Sequence, residues 1–479
     1  MKTIDQIYIN GKFVRPHGTE RFDLVDPTSQ SLIGQVVLGD EEDARAAIAA
    51  AKKAFESFSR TTKEERIRIL DRLFAAVQAR HNDHVRAMIE EYGGTHQFAT
   101  ASAKRCAESF LHVKNILSEF DFVRSVSRSQ VTLEPVGVTA IITPWNASSS
   151  FICSKFAMAL AAGNTVVVKP SEMSAIQTQV LLECFHEAGL PSGLFNLVNG
   201  RGDRVGAELS RNPDIAKISF TGSTVVGKSI ARTAADTLKR VTLELGGKSP
   251  FVILEDANLD EAVPIAVAAC FMNNGQACIA GTRLLVPLSQ KSEIEQRVKS
   301  VVAQVQQGDP REARNTLGPV VSRKQYERVQ VYIRLGLEEG ATLLIGGPGS
   351  PEGLERGNYV KPTVFTDVTN DMRIAREEIF GPVLSILTYR SEEEAVAIAN
   401  DTDYGLHAYV SGTNLTKAQQ VASAIRAGRV AINGIEHDPY APFGGFKQSG
   451  IGREYGVYGL EEYLEPKAIL KVTPTLTSS

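Results

Sequence analysis

Residues 273–280 read Asn-Asn-Gly-Gln-Ala-Cys-Ile-Ala. The one cysteine, Cys278, follows an apolar helical run and sits among small and amide residues. Such a thiol is either packed and inert or a nucleophile, because the thiolate is the attacking form. Glu244 lies at the end of an apolar strand pattern, Val-Thr-Leu-Glu-Leu-Gly-Gly (241–247). An acidic group there loses water, which raises its pKa and suits a general base. The other reading is a carboxylate that caps local N–H groups. Asn146 follows Trp145 just after a strand end, where its amide can donate to an oxyanion. The other reading is a turn asparagine.

A second set of residues suits a nucleotide. Lys169 and Glu172 leave a strand (164–171) and precede a helix. A carboxylate at that point can hold a ribose diol. It can equally belong to a solvated pair, or to a helix start that favours negative charge. In Phe-Thr-Gly-Ser-Thr-Val-Val-Gly (220–227), Gly222 allows a tight turn. Ser223 and the free N–H groups of the helix that opens there suit a phosphate. The pattern is not GxGxxG, and alone it is a weak signal.

The elements that must carry these residues form an alternation. Short N-terminal strand patterns are followed by amphipathic helices from Asp40 to about Glu119. β-Branched runs then alternate with helices: 139–145, helix 148–163, 164–171, helix 174–189, and onward to Gly247. This predicts right-handed βαβ units and a parallel sheet covered on both faces. The alternation restarts after Gly247, with a helix expected over 259–275 and another around 290–306. A second α/β unit of similar build follows. The segment 461–473 reads as a strand far from its own sheet, able to pair with 129–135 as an arm for another subunit.

Composition excludes several classes. The net charge of −3 leaves no basic footprint for nucleic acid. No apolar run reaches membrane-spanning length, and the N-terminus lacks an apolar signal core. Five scattered cysteines (Cys106, Cys153, Cys184, Cys270 and Cys278) without CxxC argue against a disulfide framework or a zinc site. The expectation is a cytoplasmic, reduced protein with no metal.

Asn146, Lys169, Glu172, Gly222, Ser223, Glu244, Cys278, Glu-Glu-Ile-Phe-Gly-Pro-Val (377–383) and Pro-Phe-Gly-Gly-Phe-Lys-Gln-Ser-Gly-Ile-Gly-Arg-Glu (442–454) occur together in this order. In that set the chain resembles the aldehyde dehydrogenase superfamily over nearly its whole length. The resemblance implies a Rossmann-like cofactor domain (1–120 and 138–246) and a related α/β catalytic domain (247–446). It also implies a small β oligomerisation arm with the C-terminal tail (121–137 and 447–479), joining homodimers or homotetramers.

The same resemblance implies that Cys278 is the nucleophile and Glu244 the base that activates water. Asn146 and the Cys278 N–H form the oxyanion hole, and Lys155 and Glu454 help move protons. NAD, with NADP less preferred, would lie along Thr143, Trp145, Lys169, Glu172, Gly202, Gly206, Phe220, Gly222, Ser223, Val226, Gln325, Glu378 and Phe380. Gly275 and Ala277 would leave room for substrate and cofactor ring at the sulfur. The substrate tunnel would include Ala147, Phe151, Ser154, Ile279, His437, Tyr440 and Phe443.

The chain departs from common family patterns at Ala147 and Ser154, where aromatic residues are frequent, and in Asp-Pro-Thr-Ser-Gln-Ser (26–31), which lacks a usual glycine. The first two widen the expected tunnel, so a medium-sized or aromatic aldehyde is the expected substrate. Arg105, where it reaches the tunnel mouth, would instead favour a carboxylate-bearing semialdehyde; the favoured alternative is a solvated helical arginine. The rival readings are a coenzyme A-acylating relative, disfavoured by Glu244, and a non-catalytic structural member.

Overall fold

The computed structural model describes residues 2–470. The first body is built on an eight-stranded sheet. Its five parallel strands run in the order Arg240–Glu244, Lys217–Thr221, Val138–Ile142, Thr165–Lys169, Phe195–Leu197. Antiparallel strands close the two edges. Runs such as Thr-Val-Val-Val-Lys are buried at every position, as expected for strands covered on both faces. The helix Ser148–Ala162 is buried almost throughout and ends at Gly163, whose φ of +92° no β-carbon-bearing residue adopts easily.

The second body has seven strands: Thr342–Ile345, Thr363–Thr366, Val383–Tyr389, Arg283–Pro287, Pro250–Ile253, His407–Ser411 and Arg429–Ile432. Only its first pair is antiparallel. A separate sheet joins Leu464–Leu470 to Ser129–Pro135, with Val123–Val126 outside it. The pairing expected for the C-terminal segment is therefore present; residues 471–473 of that segment lie outside the described residues. The arm leaves Val123, Val126, Ile469 and Leu470 exposed.

The helix expected over 259–275 is shorter. It spans Leu259–Phe271. Asn273, Asn274 and Gly275 then take left-handed backbone, with φ of 52°, 59° and 72°. An amide side chain and a glycine tolerate that region, so the chain turns out of the helix just before Cys278.

Candidate active site

The parallel strands of the first sheet end at Ile142, Lys169, Thr221 and Glu244 on one edge. The Cys278 loop of the second body faces that edge. Between them is a cavity of about 510 Å³. Trp145, Asn146, Phe151, Glu244, Cys278 and Glu378 are among its walls. Two glycines permit the approach. A β-carbon on Gly246 would come within 2.6 Å of Glu378 Oε2, and one on Gly247 within 2.4 Å of the Cys278 carbonyl.

The loop carrying Cys278 is tied down from distant segments. Gln276 Nε2 donates to Tyr92 Oη (3.0 Å), and Gln276 Oε1 accepts from the Val321 N–H (3.0 Å). Asn274 donates to the carbonyls of Gly93 and Pro319 and accepts from the Gly318 N–H. Tyr92 Oη donates to Asn273 Oδ1 (2.8 Å). Asn146 Nδ2 donates to the Gln276 carbonyl at 3.0 Å, which joins the strand-end asparagine to the cysteine loop and leaves a second amide N–H. Gly275 does not make room at the sulfur. A β-carbon there would lie 2.2 Å from the Gly381 carbonyl carbon, so its role is contact with the 377–383 segment.

Cys278 is partly exposed, unlike the other four cysteines, which are buried. Burial of the sulfur, then the charges of Glu378 and Glu244, push its thiol up to about 12. The N–H groups of Cys278 and Ile279 oppose that rise. Glu244 is 3% exposed, and among the described residues no group hydrogen-bonds either carboxylate oxygen. Desolvation, with Glu454 adding repulsion, holds its pKa well above the ordinary carboxylate range.

Behind Glu244 the sheet carries a polar face. Phe220, Ile218 and Leu243 point into one apolar core. Their neighbours alternate to the other side, where Thr221 pairs with Glu244 and Ser219 with Thr242. Lys155, only 2% exposed, meets this face: its Nζ donates to Ser219 Oγ (3.1 Å) and to Glu454. Lys217 extends the row, with Thr242 Oγ1 at 2.5 Å and Glu462 at 3.6 Å.

The nucleotide-type residues fall in two groups. Trp145, Gly222, Ser223, Gln325, Glu378 and Phe380 line the cavity. Trp145 and Phe380 meet edge to face, centroids 5.4 Å apart. Gln325 Nε2 donates to the Phe380 carbonyl (2.8 Å), and Glu378 Oε1 accepts from the Gly247 N–H (3.1 Å). Burial raises the Glu378 pKa to about 6. Ser223 caps the helix Thr224–Ala235 through the Val226 N–H. Thr143, Lys169, Glu172, Gly202, Gly206, Phe220 and Val226 are not in the cavity wall. Phe220 is a core residue whose ring lies 2.4 Å from where a Gly222 β-carbon would be.

Lys169 Nζ and Glu172 form an ion pair at 3.4 Å. Sequence reasoning missed the second partner, Arg201, 3.4 Å from the other Glu172 oxygen and also bonded to Glu20. Burial works against the Glu172 carboxylate, but Lys169, the backbone and Arg201 outweigh it and its pKa falls below the usual value.

On the substrate side, Phe151 reaches the cavity, and Ser154 donates to the Phe151 carbonyl at 3.2 Å. Ala147 precedes the same helix. Ile279 is engaged through its carbonyl, which accepts from Tyr409 Oη (2.9 Å). Tyr440 is 48% exposed and packs on His112 and Asn115 rather than toward the sulfur. Tyr455, half-buried and missed in the sequence, sits among Ser154, His437 and Phe443. Arg105 stacks on Phe98 and has no ion pair among the described residues.

A sequence model of the aldehyde dehydrogenase family matches residues 13–469. This chain belongs to the aldehyde dehydrogenase family. It is 44% identical over 472 residues to a 3-succinoylsemialdehyde-pyridine dehydrogenase of a Pseudomonas species, covering 98% of this chain and 99% of that one. A crystal structure of a mutant of aldehyde dehydrogenase C from Pseudomonas syringae, complexed with NAD+ and octanal, is 44% identical. It superposes with a TM-score of 0.97 over 98% of this chain and 97% of that one. A betaine aldehyde dehydrogenase from Staphylococcus aureus in complex with NAD+ is 35% identical, with a TM-score of 0.95 over 99% and 96%. The α/β architecture expected from the alternation is the architecture of this family.

Proposed function

We propose that this chain oxidises an aldehyde to its carboxylic acid with NAD, through a covalent bond to Cys278. The observation that carries this is one cavity walled by Cys278, Glu244 and Asn146. The same cavity fits a dinucleotide's nicotinamide end. It holds a partly exposed carboxylate, Glu378, with one oxygen free of donors among the described residues, between the Trp145 and Phe380 rings and the start of the helix Thr224–Ala235. When bound, NAD accepts the hydride from the aldehyde carbon.

The chain's own residues do the rest. The Cys278 thiol gives its proton to solvent, the sulfur bonds to the aldehyde carbon, and the carbonyl oxygen becomes an oxyanion. Asn146 Nδ2 and the Cys278 N–H hold that charge. Loss of hydride restores the carbonyl as a thioester. Glu244 takes a proton from water, whose oxygen bonds to the thioester carbon, and the carbon–sulfur bond breaks to release acid. Glu454, held by the Lys155 ammonium, accepts that proton onward along the polar sheet face.

Glu172 suits the adenosine ribose hydroxyls, and its charge opposes a 2′-phosphate. Lys169 and Arg201 temper that repulsion, so NAD is preferred and NADP is used to a lesser degree. Small residues at 147 and 154 suit medium-chain or ring-bearing aldehydes, in keeping with the octanal bound in one relative at 44% identity and the pyridine-bearing semialdehyde in the name of the other. Arg105, without an ion pair, supports a second reading, a carboxylate-bearing semialdehyde. The exposed arm supports a homodimer or homotetramer.

The test is a panel of acetaldehyde, hexanal, benzaldehyde and succinic semialdehyde with NAD. Acid and NADH should form without coenzyme A, fastest with hexanal or benzaldehyde. A strict need for coenzyme A overturns the hydrolytic reading. No NADH with any aldehyde leaves a structural member, and an advantage for the semialdehyde that Arg105→Ala removes replaces the substrate reading.

A further inference from the structure

The segment 433–442 leaves the edge strand Arg429–Ile432 and closes at Phe443, whose backbone pairs with that of Glu454. One side chain grips most of it. Arg429 Nε donates to the Pro442 carbonyl (2.7 Å), and Nη2 donates to the carbonyls of Asp438 (2.8 Å) and Ala441. Nη1 lies 2.9 Å from His437 Nδ1. The guanidinium also lies over the rings of Phe443 and Tyr455, at 5.2 and 5.9 Å. Arg429 has no salt bridge among the described residues, so its charge is directed at neutral acceptors.

This geometry fixes a tautomer. A guanidinium has donors only, so His437 Nδ1 must accept, and the ring's proton is on Nε2. Protonating Nδ1 would break the contact and set two cations side by side. Arg105 and His112 face the same ring from the long helix His96–Glu119, and only Asp438 offers a negative charge. The residue is exposed in this loop, and partial desolvation of its ring by the packed neighbours, then the charges of Arg429 and Arg105, hold the His437 pKa down, at about 4. The ring packs on Tyr455 at 4.9 Å, and Tyr455 neighbours Ser154, next to the Phe151 wall of the cavity. His437 is not itself in the cavity wall, and this chain of contacts through Tyr455 and Ser154 joins it to the Phe151 side of the cavity.

We propose that Arg429 is a positioning residue that presents His437 as a neutral hydrogen-bond donor at the tunnel mouth, so that the site favours aldehydes whose far end carries a hydrogen-bond acceptor. The inference rests on the aldehyde-oxidising reading and deepens its substrate class. A keto oxygen or an aromatic ring nitrogen remote from the aldehyde fits that donor. A plain alkyl or phenyl tail leaves it without a protein or ligand partner.

The test compares two aldehydes of the same shape, 4-phenylbutanal and 4-(pyridin-3-yl)butanal, near neutral pH with NAD. The pyridyl compound should have the higher kcat/KM, by about five- to tenfold, the size of one neutral hydrogen bond. The gain should lie in KM. His437→Phe should bring the ratio to about one, and His437→Gln, which keeps a donor, should restore part of it. Arg429→Met should also collapse the ratio, and Arg429→Lys should do so partly. If the ratio is one in the unaltered enzyme, or survives in His437→Phe, the inference is wrong. If Arg429→Met slows both aldehydes equally and leaves the ratio intact, Arg429 is structural only. Absence of turnover with either aldehyde would overturn the underlying aldehyde-oxidising reading instead.

Discussion

Two loops flank the substrate side, and they are held in opposite ways. The Cys278 loop is buried at Asn274, Gly275 and Gln276, and its side chains bond to groups near Tyr92, Gly93, Gly318 and Val321. The 433–442 loop is largely exposed and depends on Arg429, with lesser ties from Tyr440 to Asn115 and from the Gly456 N–H to the Pro439 carbonyl. Buried amides must keep all their partners, because an unpaired one costs about 1–3 kcal/mol. Exposed loop groups can exchange a lost partner for water. The first arrangement holds a reacting atom still. The second lets the substrate end vary without disturbing the chemistry.

The sharpest break in this comparison is Cys278→Ala. It should abolish turnover while leaving the melting temperature and cofactor binding near wild type, as no loop tie runs through the sulfur. Substantial turnover in this variant would remove the cysteine from the mechanism.

Glu244→Gln comes next, with an expected loss of about 10²–10⁴ in steady-state rate. A burst of NADH should precede slow turnover if thioester hydrolysis becomes limiting. The pH profile adds a sign. A carboxyl whose pKa is raised is a base only above that raised value, so wild-type turnover should climb with pH beyond the ordinary carboxylate range. The glutamine variant should lack that limb. A wild-type profile already flat from the ordinary carboxylate range upward would argue against Glu244 as base.

Gln276→Ala tests the buried loop without touching the chemistry directly. It strands the Val321 N–H and an acceptor site on Tyr92 Oη, and should cost about 1–3 kcal/mol of stability, read by denaturant midpoint. A change below about 0.5 kcal/mol would mean that this loop relaxes as freely as the exposed one.

Tyr440→Phe should have the smallest effect. Its hydroxyl meets only Asn115 at an exposed site, and loss within about 0.5 kcal/mol is expected. A larger loss would erase the contrast between the loops.

Some of this site was legible in local runs. Cys278, Glu244, Asn146 and the glycine pair 246–247 stand in short contiguous motifs, and strand ends are read from where apolar runs stop. Arg201, Tyr455 and Arg429 carried no such signal. An arginine that ends by gripping four acceptors has the same local sequence as one in solvent. The helix end at Phe271 was also missed, since an asparagine pair permits left-handed backbone without requiring it.

The sequence by itself determined the α/β alternation, the residue types able to do thiol and carboxyl chemistry, and the order in which they occur. These follow from periodicity and from side-chain chemistry, which are properties of neighbours along the chain. Only the tertiary structure decided that Tyr92 meets Gln276 across 184 residues, that Arg201 meets Glu172, and that Glu244 has no hydrogen-bond partner among the described residues. Those facts depend on which distant surfaces pack together, and desolvation and pairing are set by that packing rather than by any residue's own chemistry.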